Sequence, residues 1–236
     1  MPAMLILALD TTTDFGSCAL WRDGEVLERR CPPGRPHSET LLPLVRELLA
    51  DAALTVRDLD AIAFGCGPGA FTGLRVACAA AQGLAVVAGT PLVPVVSLEA
   101  MAAASGPAAD AEVLPLLDAR MGEVYAGRYR RGADGCWQAS APLRVQRPEE
   151  IELPEGGRWH ACGNAPTVYP VLRERLQAAG IAFEEGVLPT AAVVASLAQP
   201  RVLAGEAIDA ALAAPLYVRD KVAKTVAERL AEGGKA

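Results

Sequence analysis

Aromatic residues make up only 5% of this 236-residue chain, and histidine occurs just twice, at His37 and His160. Neither has a second histidine at i+3 or i+4, the spacing that puts two metal ligands on one helix face. The six cysteines (Cys18, Cys31, Cys66, Cys78, Cys136, Cys162) form no Cys-x-x-Cys pair and have no histidine at ligand spacing, which excludes zinc and dithiol redox motifs. Cys18 and Cys78 sit in apolar runs and read as small core residues. There is no Gly-x-Ser-x-Gly elbow for a hydrolase nucleophile. No window supplies the ~20 apolar residues of a membrane span, because the run 76–88 is broken by Gln82 and Gly83. Leu5–Leu9 is too short for a signal-peptide core and runs into Asp10. The expectation is a reduced, cytoplasmic protein.

Apolar residues reach 52%, so the core is expected to be built from Ala, Leu and Val. The length allows one large or two small domains. The net charge of −6 argues against unaided nucleic-acid binding, which usually rests on a basic face. The local clusters Arg128, Arg130, Arg131 and Arg219, Lys221, Lys224 read as solvated surface.

The most informative stretch is Gly65-Cys-Gly-Pro-Gly-Ala-Phe-Thr-Gly-Leu-Arg75 and the run of small apolar residues behind it. It follows the apolar strand Ala61–Phe64 and opens a segment of helix length. A phosphate-binding P-loop is excluded, since no Gly-Lys-Ser/Thr enters the helix. Gly65-x-Gly67-x-x-Ala70 has dinucleotide-binding spacing, but positions 85–90 lack the acid that holds a ribose. A tight turn with close helix packing is the reading retained. Arg75 is the only charge between Ala70 and Gly89. A helix that is apolar all round must be buried, and one core of this size cannot cover it on both sides. A second copy or another protein is expected to cover the outer side.

The pattern strand, Asp-turn, strand, Asp-Gly turn occurs twice, at Leu5–Gly24 and at Val113–Gly135. It predicts two similar α/β lobes, with Asp10 and Asp118 each following the first strand of its lobe. The Gly/Ala/Pro-rich stretch Ala102–Ala111 reads as a linker. In the first lobe a helix is expected after the Pro/Gly loop, capped by Ser38 or Thr40, with Pro43 in its first turn and apolar residues over half its circumference. In the second lobe, strand Trp159–Cys162 precedes a helix over Val168–Ala179 and a shorter one near Ala191–Ala198; a terminal helix is expected over Val222–Ala231. His37-Ser38-Glu39 reads as a polar helix start rather than a metal cluster.

This two-lobed pattern resembles the actin–sugar kinase–Hsp70 (ASKHA) architecture, in which two ribonuclease H-like lobes clasp ATP and a metal across a cleft. Asp10 and Asp118 then have two readings, as oxygen ligands for Mg²⁺ or as residues that stabilise turns. The phosphate hairpins are poor in glycine, with none before Gly16 and Gly122, and Gly163-Asn164-Ala165 is a thin version of the adenosine turn. The nucleotide site reads as eroded.

The motifs Ile6-Leu-Ala-Leu-Asp10-Thr11-Thr12, His37-Ser-Glu-x-Leu41-Leu-Pro43, Gly67-Pro-Gly-Ala-Phe71-Thr-Gly-Leu-Arg75, Ser97-Leu-Glu99, Asp118-Ala-Arg120-x-x-Glu123-Val-Tyr125 and Pro215-Leu-Tyr-Val-Arg219 resemble, in order, the bacterial TsaB (YeaZ) proteins. Ala70 stands where Ser is frequent in that family. The resemblance implies two actin-like lobes, the second reduced, over residues 1–105 and 106–215, with a C-terminal segment at 216–236. It implies a non-catalytic subunit of the machinery that puts threonylcarbamoyl on N6 of adenosine 37 in tRNAs reading codons that begin with A. The partners implied are TsaD, which carries the metal-binding His-x-x-x-His and performs the transfer, and the ATPase TsaE. A homodimer through the same helices is a further expectation. tRNA is met only through the complex, no membrane is involved, and the chain holds no cofactor of its own, ATP or ADP entering only at the assembled complex. The implied interface comprises His37, Leu41, Leu44, Val45, Leu48, Leu49, Phe71, Leu74, Arg75, Cys78 and Gln82. Asp10, Thr11, Thr12, Asp118 and Arg120 are expected at an interlobe cleft. An autonomous ASKHA-type ATPase or small-molecule kinase is the alternative, and a peptidase a more distant one. Each lacks its constellation here.

Overall fold

A computed structural model describes residues 4–106, 112–133 and 135–219. The helix expected over Val222–Ala231, Lys221, Lys224, residues 107–111 of the linker and Asp134 of the second turn lie outside the described residues, and residues 102–104 of the expected linker are helical.

Two five-stranded sheets carry the fold. The first comprises β1 (Leu5–Asp10), β2 (Ser17–Arg22), β3 (Glu25–Arg30), β4 (Ala61–Gly67) and β5 (Leu92–Val96), in the order β3-β2-β1-β4-β5. The second comprises β6 (Glu112–Arg120), β7 (Glu123–Arg131), β8 (Trp137–Gln146), β9 (Trp159–Gly163) and β10 (Ala182–Glu185), in the order β8-β7-β6-β9-β10. In both, the first strand pairs antiparallel with the second and parallel with the fourth. The repeat legible in the sequence is thus a repeat of topology. Asp23 and Gly24, both at positive φ, make the expected β2–β3 hairpin turn.

β1 is central and covered on both faces, which is why Ile6, Leu7, Ala8 and Leu9 are all apolar. On one face α1 (His37–Asp51) and α2 (Phe71–Ala88) pack Leu41, Val45, Leu48, Cys78 and Ala81 against Leu7, Leu9 and Phe64. On the other face α6 (Ala191–Leu203) packs Val194, Ala195 and Ala198 against Ile6, Ala8 and Ala63. This helix lies within the stretch expected for the second lobe, yet it returns to the first sheet. Its N-terminal amides are held there by Ser17 Oγ (2.8 Å) and Glu28 Oε1 (3.0 Å).

The second lobe has a complete sheet but short helices. α4 (Ala165–Val168) and α5 (Pro170–Ala178) have 4 and 9 residues, against 15 and 18 in α1 and α2. Pro170 divides what the sequence suggested as one helix from Val168. Between the lobes lies α3 (Ser97–Ala104), whose Leu98, Met101 and Ala102 pack on Val113, Leu117 and Tyr129. Its Glu99 pairs with Arg201 of α6. The segment Pro215–Arg219 then crosses both lobes: Leu216 N donates to Cys66 O at 2.7 Å, and Arg219 reaches Glu123 Oε2 at 2.5 Å.

Two local expectations for α1 are corrected. The helix starts at His37 with no side-chain cap, and the Thr40 hydroxyl donates back to Pro36 O at 3.1 Å. Pro43 therefore falls inside the helix rather than in its first turn. Cys18, Cys31, Cys66, Cys78 and Cys162 are buried thiols, Cys18 and Cys78 as expected.

Candidate functional site

The glycine loop is a packing device. A Cβ at Gly69 would lie 2.2 Å from Thr12 O, and one at Gly73 1.8 Å from Thr11 O. The turn after β1 is thus pressed directly onto the start of α2. Ala70 N donates to Thr12 O (2.8 Å), and the Thr11 hydroxyl donates to Gly73 O (2.6 Å). Thr11 and Thr12 are both buried, so the hollow that a phosphate would need is filled by the chain's own turn.

Asp10 lies beneath that turn with no solvent exposure. Its Oδ1 accepts from Thr12 N (3.1 Å) and Thr12 Oγ1 (2.9 Å), while Oδ2 has no partner and faces Gly65, where a Cβ would come within 2.0 Å. Burial pushes the carboxyl up to about 6, against the two Thr12 hydrogen bonds that lower it. Asp118 is engaged as well. Its Oδ1 accepts from Arg120 N and from the Tyr169 hydroxyl, each at 2.8 Å, and its Oδ2 lies 3.3 Å from the Arg120 guanidinium. Burial and the neighbouring Asp118 push the Tyr169 phenol up to about 12. Both aspartates are occupied in stabilising turns. No cluster of three or more His, Cys, Asp or Glu suited to a metal occurs among the described residues.

Arg120 sits at the start of a turn in which Arg120, Met121 and Gly122 all have positive φ. Its guanidinium leaves the second lobe and meets Asp14 Oδ2 of the first at 2.7 Å. Arg120 thus pairs with a surface acid, while the nearby Glu123 pairs with Arg219. Thr12, Thr13, Asp14, Leu117, Asp118 and Arg120 help line the cleft between the lobes, whose free volume is about 70 Å³. Small-molecule sites typically need about 300 Å³ or more. The cleft is too narrow for such a ligand here, and a larger hollow of about 280 Å³ adjoins it at Gly69, Ala70, Arg120 and Tyr125.

The expected interface residues divide by burial. Leu41, Val45, Leu48, Leu49 and Cys78 point into the first-lobe core and cannot form an outer face, while Leu74 is buried at the base of a groove beside Tyr217. The former are the sheet-facing stripe of α1 and α2, where apolar content is highest. Leu44 and His37 are half-buried, and His37 Nε2 lies 3.0 Å from Thr13 O. Gln82 turns to the C-terminal segment, donating to Ala210 O (3.0 Å) and Ala213 O (3.1 Å). Phe71 and Arg75 are exposed as expected. The outward apolar residues that sequence reading passed over are Leu42, Val86 and Val87, at 48%, 74% and 61% exposure. A helical wheel fixed by the buried Leu74, Ala77, Ala81 and Ala85 would have placed the last two outside. Tyr217, also missed, stacks on Phe71 with ring centroids 5.6 Å apart.

α2 has the length and apolarity of a membrane-spanning helix. Its inner face, however, is fixed to the sheet through Gly73, Leu74, Ala77, Cys78, Ala81 and Ala85. It cannot enter a bilayer without carrying the lobe with it, contrary to the sequence reading only in that α2 passes the composition test at all.

Residues 33–158 match the family model for TsaD, tRNA N6-adenosine threonylcarbamoyltransferase. The tRNA threonylcarbamoyladenosine biosynthesis protein TsaB of Escherichia coli K12 is 35% identical over 228 residues, covering 93% of this chain and 96% of that protein. The protein of the same name from Haemophilus influenzae is 35% identical over 231 residues, covering 94% and 96%. Among solved structures, YeaZ from Pseudomonas aeruginosa superposes with a TM-score of 0.81 at 35% identity, over 91% of this chain and 99% of that one.

Proposed function

The chain belongs to the TsaB family of tRNA threonylcarbamoyladenosine biosynthesis proteins, and from that premise we propose that it is a non-catalytic subunit of the modification machinery. It pairs with the transferase TsaD through the outward faces of α1 and α2, with TsaE as third subunit. tRNA is reached through the complex, in the cytoplasm, and ATP or ADP enters only at the assembled complex. In isolation the same face supports a homodimer.

The observation that carries this reading is the exposed side of α2. Phe71, Val86 and Val87 stand outward on a helix that carries a single charge, where a solvated face should be polar. Ala79 and Gly83 between them let a second helix approach closely. The non-catalytic part is supported by the cleft: Asp118 on its wall is engaged in a turn, Asp10 and Thr11, expected there, lie buried behind it, and its free volume suits a few waters. The two-lobed scaffold remains as a platform.

The test is pairing of the purified chain with the TsaD-family subunit of the same organism, read by size exclusion with light scattering. Val86→Glu with Val87→Glu should abolish the complex, because a buried unpaired charge costs several kcal/mol (about 3–5), while circular dichroism stays native. Persistence of the complex in that variant places the interface elsewhere. Reconstituted tRNA modification with each subunit left out then tests the accessory role.

A further inference from the structure

The one charge on the α2 face is held in a specific way. The Arg75 guanidinium carbon sits 3.8 Å from the centroid of the Phe71 ring, one helical turn earlier. Its Nε donates to the Tyr217 hydroxyl at 3.0 Å. Phe71 and Tyr217 in turn lie against each other at 37°. The side chain is therefore held flat on the Phe71 ring and tied at Nε to the Tyr217 hydroxyl, two groups from different segments. Its terminal amino groups have no carboxylate partner among the described residues. An arginine left mobile would lose rotamer freedom on docking, whereas this one has already lost it. A planar fork of two N–H pairs is matched to a carboxylate, which it can bind bidentately.

We propose that Arg75 is the recognition hook of the α2 face and takes an Asp or Glu carboxylate from the partner subunit, set among apolar residues. The inference rests on the pairing described under Proposed function and adds the chemistry of its anchor. Burying the face with Arg75 unpaired would strand a charge, so a partner that covers Phe71 and Val86 must bring an acid to this point. A second copy docking α2 on α2 does not, since no acid occurs in Phe71–Ala88. An α2-on-α2 homodimer across this face leaves Arg75 unpaired and is the weaker pairing, so the occupant assigned to the hook is a different chain. Beside the hook, a groove of about 280 Å³ lined by Phe71, Leu74, Tyr125, Leu216 and Tyr217 receives an apolar side chain of the same partner.

The experiment measures affinity for the TsaD-family subunit at low and high salt, for the wild-type chain and for Arg75→Gln, Arg75→Lys and Tyr217→Phe. Arg75→Gln should weaken binding at least about 30-fold, the loss typical of one partner removed from a desolvated charge pair, and should flatten the salt response. Arg75→Lys keeps the charge without the fork and should fall between. Tyr217→Phe, which removes only the positioning bond, should weaken binding less while keeping the salt response. Melting curves within a few degrees of wild type exclude misfolding. Wild-type affinity and salt response in Arg75→Gln overturn this inference and leave the pairing intact. No binding by the wild-type chain overturns both. A variant that weakens self-association but not pairing with the TsaD-family subunit moves the hook to a second copy, and the assignment to a different chain falls.

Discussion

The guanidinium of Arg120 and the carboxylate of Asp14 meet at 2.7 Å across the mouth of the cleft, joining the turn after β6 to the turn after β1. Both side chains are largely exposed, at 70% and 73%. An exposed pair of this kind contributes about 1 kcal/mol or less. The packing that joins the lobes is α3, where Leu98 and Met101 are fully buried against the second sheet. Arg120→Ala should therefore lower the thermal midpoint by no more than about 4 °C. Leu98→Ala should cost about 2–5 kcal/mol through the cavity it leaves. If the two variants melt alike, the ion pair and not α3 governs the junction.

The glycines of the loop make a second, sharper contrast. At Gly73 a methyl group would collide with Thr11 O, a backbone atom that cannot move without shifting β1. At Gly83, ten residues on in the same helix, nothing lies within 4 Å of the added carbon. Gly73→Ala should destabilise by about 3 kcal/mol. Gly83→Ala should stabilise by about 0.5–1 kcal/mol, because alanine is the better helix former. Urea unfolding of the pair checks both signs. A benign Gly73→Ala would mean that the turn can open, and that a ligand could enter where Thr11 and Thr12 now lie.

The isolated chain should not bind Mg-ATP. Thr12 O and Ala70 N, which border the cleft, satisfy each other at 2.8 Å, and no lysine enters the loop. A ligand present at 100 times its Kd raises stability by about 2.7 kcal/mol. Millimolar Mg-ATP should leave the melting midpoint unmoved, and a rise of several degrees would restore the kinase-like alternative.

Much of this was legible in the sequence because it follows from local pattern. β1 reads as a strand from its continuous apolar run, the hairpin from Asp23-Gly24, and α2 from the glycine turn that opens it. β8 and β10 were not read, since Trp137–Gln146 has no buried residue and Glu184-Glu185 sits at a sheet edge, so neither carries an apolar run. α3 was missed because Ser97–Ala104 is buried nearly all round and so shows no amphipathic period. The interface residues erred for a related reason. High apolar content marks both the core side and the docking side of α1 and α2, and only packing separates Leu48 from Leu42. The partners of Arg75 and Arg120, Tyr217 and Asp14, lie 142 and 106 residues away in the chain, beyond any spacing rule.

Asp10 gives the last prediction, in the pH dependence of stability. Its carboxyl is raised from 3.8 to about 6 by burial, so the folded chain holds a proton there that the unfolded chain has released. The stability linked to that proton is fully present below about pH 4 and is lost as pH rises through about 6. The difference of roughly two units corresponds to about 3 kcal/mol. Asn at position 10 keeps an acceptor for Thr12 N and Oγ1 and has no proton to lose in this range. The wild-type stability minus that of Asp10→Asn should therefore fall by about 3 kcal/mol between pH 4 and pH 7 and stay level above, with other titrating groups cancelling in the difference. Urea unfolding of both proteins across this range measures it. A level difference means that Asp10 is not held protonated, and a difference that rises with pH means that a positive partner stabilises its carboxylate, which would return Asp10 to the list of candidate ligands.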